Sequence, residues 1–170
     1  QSGSKGATRA SPRGRSLSTA PVAARVAALH RLLDEQWQYT LRTSPEFASI
    51  LGDRRYNDRL SDGSQRSIDE QIAKNREFLR RFEAVDTTGF PEQERLNRDL
   101  MVLNLRQGVE SERFREWEMP VSQFSGLHID LPQLVTSLPF ETVKDYDDYV
   151  ARLRQVPRAF RQTTAQMRKG

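Results

Sequence analysis

Large apolar side chains recur at every third or fourth position through most of this chain, a period that one face of an α-helix satisfies and a strand does not. Val22, Val26, Leu29, Leu33, Trp37 and Leu41 make the first stripe. The step Thr43-Ser44-Pro45-Glu46 interrupts it, with Ser44 suited to an N-cap, Pro45 to a first helical turn and Gly52 to the close of a short helix through Phe47, Ile50 and Leu51. Residues 53–63 are polar, aperiodic and rich in turn formers, hence a loop. Beyond it, Ile68, Ile72, Leu79 and Phe82 mark the buried face of a helix opened by Ser64 or Ser67 and ended by Thr87-Thr88-Gly89-Phe90. Pro91, followed by Glu92 and Glu94 where carboxylates favour the dipole, opens a helix predicted to reach about Glu116, with Leu96, Leu100, Leu103, Val109 and Phe114 continuing the stripe. Thr142 and Asp145 form a capping pair for a helix through Tyr146, Tyr149, Val150, Leu153 and Val156. Pro157 breaks it, and Ala159, Phe160, Thr163 and Met167 form a last helix. No alternating run and no repeat of fixed period competes. The expected fold class is all-α, a bundle-like array of five or six helices.

One stretch departs from the pattern. Between Trp117 and Phe140, Pro120, Gly126, Pro132 and Pro139 stand too close together for a long regular element, yet the stretch is apolar: Met119, Val121, Phe124, Leu127, Ile129, Leu131, Leu134, Val135 and Leu138 all lie in it. An apolar irregular segment of that length is unusual as a surface connection, so this long loop is expected to be ordered and to lie against something.

A chain of 170 residues fits one domain and buries roughly 70% of its unfolded surface. The absence of cysteine removes disulfide frameworks, Cys-based zinc sites and thiol nucleophiles together. No run approaches the roughly 18 apolar residues a spanning helix needs, so no membrane-spanning segment is expected. The net charge of +4 invites a nucleic-acid reading until the charges are located. Lys5, Arg9, Arg13 and Arg15 account for all of it, leaving the body with as many acids as bases. Residues 1–20, mostly Ser, Gly, Ala, Thr and Arg, read as a disordered basic tail, and four charges without aromatics give only salt-sensitive attraction; no nucleic-acid partner is expected. The start at Gln1 rather than Met is what a processed precursor or a cut chain would give.

Few constellations could carry chemistry. His30 has only Asp34 at a metal-ligand spacing, an incomplete set, and reads as a structural or solvent-facing imidazole. His128 stands alone in Gly126-Leu127-His128-Ile129-Asp130, where a single imidazole is more often a hydrogen-bonded structural group than a ligand. Asp145, Asp147 and Asp148 lack the central glycine and closing glutamate of a calcium loop and read as first-turn helix acids. The run Arg54-Arg55-Tyr56-Asn57-Asp58-Arg59 could grip a carboxylate or phosphate through guanidinium forks, with surface pairing to Asp53, Asp58 and Asp62 as the simpler account. GxSxG, GxxxxGK[ST] and HExxH are all missing from these residues. The 170 residues alone are expected to be catalytically inactive.

Taken in order, SPEFASILGDRRYNDRLSDGS, RLNRDLMVLNLRQGVE, WEMPVSQFSGLHIDLPQLVTSLPF, DYDDYVARLRQVP and QMRKG resemble the bacterial domain-of-unknown-function 885 family from near Leu33 to Gly170. The resemblance implies a zinc-metallopeptidase-like parent, often exported to the periplasm, to a lipoprotein anchor or beyond the cell. Its HExxH-type helix would lie past the region corresponding to Gly170, two histidines one turn apart holding zinc while the glutamate activates water. On that view zinc belongs to the longer parent and no cofactor to this chain. Residues 21–170 would be the helical N-terminal portion of the larger domain, a cleft wall or lid whose partners are the missing C-terminal catalytic portion and a peptide substrate. Arg55, Tyr56, Gln123 and His128 are the expected substrate-contact residues. The competing expectation is an autonomous helical module that binds a peptide or protein without catalysis; such a module unfolds cooperatively as a monomer, whereas part of a larger fold exposes apolar surface and self-associates.

Overall fold

The computed structural model describes residues 20–170. The basic tail expected over residues 1–20 lies, apart from Ala20, outside the described residues. Among the described residues the chain forms α1 Val22–Thr43, α2 Pro45–Ile50, α3 Gln65–Glu83, α4 Glu92–Ser111, α5 Leu127–Leu134, α6 Val143–Leu153 and α7 Val156–Met167. Short 3-10 turns at Arg54–Tyr56, Glu112–Phe114, Glu116–Glu118 and Val135–Ser137 link them, and no strand is present among these residues. The fold is all-α, as the periodicity requires.

The helix ends follow local chemistry. Ser64 caps α3 by accepting from the Ser67 N–H at 3.2 Å. Pro45 occupies the first turn of α2, where its missing N–H costs nothing. Thr142 and Asp145 form a reciprocal capping box at the start of α6. The long α4, expected to run to Glu116, instead stops at Ser111 and passes into a 3-10 turn. Its path is broken at Arg115, whose φ of 50° places a non-glycine residue in the left-handed region. That reversal brings Trp117 back toward α3 and α4, where it lines a small pocket with Ile68 and Ile72.

The core joins α1, α3 and α4. Leu29 and Leu32 of α1, Phe78 and Phe82 of α3, Val102 and Leu105 of α4 and Phe90 of the preceding turn form one buried cluster. Leu33, Tyr39, Leu79 and Met101 pack around it. Phe78 and Phe82 are completely buried, and each contributes on the order of 3 kcal/mol relative to exposure. On α4 the buried face is Val102 and Leu105, while Leu96, Leu100 and Leu103, expected inside, are about half exposed. The helix carries apolar residues on two sides, and this core uses one of them.

The second half is fastened differently. Along α6 and α7, Arg152, Gln155, Arg158, Gln162 and Gln166 recur at helical spacing, and this polar row faces the segment over residues 56–63. Arg152 donates to the Tyr56 carbonyl at 2.9 Å and Gln155 to the Asp58 carbonyl at 2.6 Å. Gln155 also accepts from the Leu60 N–H, and Gln162 from the Gly63 N–H, each at 3.2 Å. These side chains satisfy the backbone groups of a segment that has no helix or sheet of its own. Turning the polar row inward leaves the apolar row outward: Tyr146, Val150, Leu153, Phe160 and Met167 are all exposed.

The stretch expected to be irregular holds α5, eight residues long with Pro132 inside it, which passes directly into the 3-10 turn Val135–Ser137. Leu134 is its one buried large apolar side chain, whereas Met119 and Phe124 are 72% and 83% exposed. The segment therefore lies only partly against its own neighbours.

Candidate functional site

Two regions hold the chemistry this chain has: a polar knot around Arg152, and a cleft between α2 and α5. The knot is built because α2 ends in a tight turn and the chain folds straight back. Gly52 adopts φ of +83°, and Asp53 then accepts from the Arg55 N–H at 3.1 Å to start the 3-10 turn. Ser49 and Asn57, both buried, meet across this return, the Ser49 hydroxyl donating to Asn57 Oδ1 at 2.7 Å. Arg152 enters from α6 and donates to Ser49 Oγ at 2.8 Å. It is 2% exposed, and its Nε and Nη1 find no hydrogen-bond acceptor among the described residues. Burial pushes the guanidinium pKa down, opposed by the charges of Glu46, Asp58 and Asp148.

Each residue expected at the site has a definite place. Arg55 is exposed and forks onto Asp53, donating through Nε at 3.0 Å and Nη2 at 2.6 Å. Its pKa is raised, first by that hydrogen bond. The Tyr56 ring lies beneath Arg55 and Arg59, with guanidinium carbons 5.3 and 5.8 Å from its centroid. Arg54 leaves this group and reaches Glu141 at 2.7 Å and Asp145 at 3.6 Å. The simpler account of the arginine run, pairing with nearby carboxylates, thus describes Arg55 with Asp53 and Arg59 with Asp58. Asp62 instead serves Ser64 and Gln162. Gln123 sits exposed in the loop before α5, and His128 is exposed in the first turn of α5 with its ring beside Gly126. Arg55 and Tyr56 are together; no hydrogen bond or ion pair joins them to Gln123 or His128 among the described residues.

The cleft is the larger feature. It measures about 570 Å³ and is walled by Glu46 and Ile50 of α2, Ser61, Leu127, Leu131 and Leu134 of α5, and the turn that follows. Leu127, Leu131 and Leu134 stand at i, i+4 and i+7, which puts all three on one face of α5. Glu46 is fixed by Ser61, accepting from its N–H at 2.8 Å and its hydroxyl at 2.5 Å. Asp130 accepts from the Gly126 N–H at 3.3 Å. Arg152, Glu46 and Asp130 went unmarked in the sequence; the spacing of the leucines was the signal for this cleft, hidden by the density of prolines around it.

A zinc ion fits none of this. His30 gives its Nε2 to Glu94 at 2.8 Å on one side of the core, His128 lies on α5, and no group of three His, Cys, Asp or Glu residues is placed to hold a metal among the described residues. No helix among them is long and apolar enough to cross a membrane.

Fold and site together define an all-helical protein whose second half is tied down by a buried arginine and a row of amides. Within that class, the chain belongs to the family of bacterial proteins of unknown function DUF885, whose model matches residues 45–170. The matched span takes in the polar knot, the cleft and the proline-broken segment. No curated protein and no solved structure matches the chain.

Proposed function

We propose that these residues form a non-catalytic helical wall of a peptidase-like protein, packing against further polypeptide and presenting a face to a peptide substrate. The observation that carries this reading is the outward apolar row of α6 and α7, reinforced by Leu96, Leu100 and Leu103 on α4 and by Met119 and Phe124 in the proline-broken segment. A self-contained bundle turns such rows inward; a part that packs on another part leaves them out. Any zinc and general base would come from polypeptide beyond these residues, in a parent carried out of the cytoplasm. Arg55, Tyr56, Gln123 and His128 stay as the substrate-contact candidates, all on accessible parts of the surface.

Peptidase assays test this in two steps. The 170-residue chain alone is expected to show no zinc-dependent hydrolysis, and the longer parent to show it. In the parent, His128→Ala and Arg55→Ala are expected to weaken peptide turnover; unchanged activity in both removes them from the substrate face. Zinc-dependent hydrolysis by the short chain would overturn the assignment.

The cleft favours a second reading, an autonomous peptide-binding module. Analytical ultracentrifugation separates the two: a monomer with one cooperative unfolding transition supports the module, and self-association through the outward apolar rows supports the wall.

A further inference from the structure

The cleft between α2 and α5 does not end at Ser61. A second hollow of about 120 Å³, walled by Leu60, Gly63, Ala159, Gln162 and Thr163, shares Glu46, Ser61 and Leu127 with it. The two make one groove that runs from α5 across the Ser61 segment to α7.

Its chemistry is selective. The floor is aliphatic, from Ile50, Leu127, Leu131 and Leu134. Two carboxylates stand on its walls, Glu46 and Asp130, and neither forms an ion pair with a lysine or arginine among the described residues. No Lys, Arg or His lines either part of the groove. Arg152, the buried cation whose charge interacts with Glu46, is committed to Ser49 and the Tyr56 carbonyl. An anionic ligand would meet two like charges here, and a wholly apolar one would desolvate two carboxylates without return. A ligand with an aliphatic body and a cationic end answers both the floor and the walls.

We infer that this groove binds a polypeptide segment that carries a lysine or arginine beside an apolar side chain. The extent of the groove argues for a chain rather than a small amine, since it continues past Glu46 and Ser61 to Thr163, whose hydroxyl can meet a backbone. The inference rests on the second reading above, the cleft as a peptide-binding surface, and is independent of Arg55, Tyr56, Gln123 and His128, none of which lines the groove.

Fluorescence anisotropy with the whole 170-residue chain tests it. The probes are a fluorescein-labelled hexapeptide Ala-Leu-Arg-Ala-Leu-Ala, the same peptide with Glu for Arg, and one with Ala for both leucines. The arginine peptide is expected to bind at least about five times more tightly than either control, and less tightly as salt rises. Asp130→Asn should weaken it roughly two- to five-fold, the range for one partly exposed charge pair. Asp130→Lys should bring the glutamate peptide level with the arginine peptide or above it. Circular dichroism melts confirm that each variant is folded, and Asp130→Asn, which keeps an acceptor for Gly126, carries the test alone if the lysine variant is not. Equal affinity for the arginine and glutamate peptides, or no change in Asp130→Asn, overturns the inference. Loss of peptidase activity from the parent's assay with this selectivity intact would sink the wall reading and leave the groove standing. Activity in the parent without the selectivity would do the reverse.

Discussion

Arg152 and Ser49 lie 103 positions apart and meet through a 2.8 Å hydrogen bond, both side chains being buried. This contact and the one to the Tyr56 carbonyl join α6 to the turn after α2. One guanidinium nitrogen makes both bonds, leaving Nε and Nη1 without acceptors among the described residues.

The expected consequence is a graded response to substitution. Arg152→Ala empties the site and strips Ser49 and Tyr56 of their donor, and should cost about 2–4 kcal/mol. Arg152→Met fills the volume, removes the two unsatisfied donors with the charge, and should cost distinctly less. Urea denaturation of the three proteins measures this; equal losses in the two variants would show that the charge itself holds the knot.

The same residues show how far the sequence could be read. The period of three and four was enough for the all-α class, for the breaks at Thr43–Pro45 and Gly89–Pro91, and for the Thr142–Asp145 box, because each rests on local chemistry. The inward face of α6 and α7 was not legible from apolar residues alone. Tyr146, Val150 and Leu153 make the more conspicuous stripe, while the inward one is Arg152, Gln155, Gln162 and Gln166, buried or half-buried, which only makes sense once the residue 56–63 segment is seen to need donors and acceptors. The α4 stripe was ambiguous for a related reason, since Val102 and Leu105 compete with Leu96, Leu100 and Leu103 and only the position of α3 decides between them. Arg55, Tyr56, Gln123 and His128 do not line the cleft, a matter of topology that no spacing encodes.

Asp145 should give α6 an acid-sensitive start. Its carboxylate accepts from the Thr142 N–H at 2.8 Å and the Glu141 N–H at 3.1 Å, and the backbone bond from Thr142 is the largest cause holding its pKa below the ordinary 3.8. A depressed carboxylate contributes stability that is complete above the unfolded value and lost as pH falls through the folded one. The amide signals of Glu141 and Thr142, followed by NMR from pH 6 downward, should therefore move together with a midpoint below 3.8. In Asp145→Asn that titration should vanish.

Two glycines with positive φ should tolerate alanine unequally. Gly52, at φ +83°, has open space where a Cβ would go, so Gly52→Ala should cost only the left-handed penalty, about 1 kcal/mol. Gly126, at φ +127°, lies in a region that side chains scarcely adopt, and its Cβ would stand 3.2 Å from both the Pro120 carbonyl and His128 Nδ1. Gly126→Ala should cost roughly 2–3 kcal/mol and shift the His128 ring resonances. Similar melts for the two variants would mean the turn before α5 relaxes freely.

The outward row of α6 and α7 makes the sharpest prediction. If Val150, Leu153 and Phe160 were core residues, polar replacement would cost about 2–4 kcal/mol at each. Each is instead between 42% and 45% exposed, and glutamine is as good a helix former as leucine. Val150→Gln, Leu153→Gln and Phe160→Gln together should leave the melting transition nearly where it was, within about 0.5 kcal/mol per site. Sedimentation should then show less self-association than the parent sequence, because the area that drives it has been made polar. In a longer parent the same triple change should loosen the packing between this part and the rest, seen as faster limited proteolysis at their junction. A chain that unfolds on triple substitution would show the row to be internal, and the polar row facing residues 56–63 would then not be what holds the rod in place.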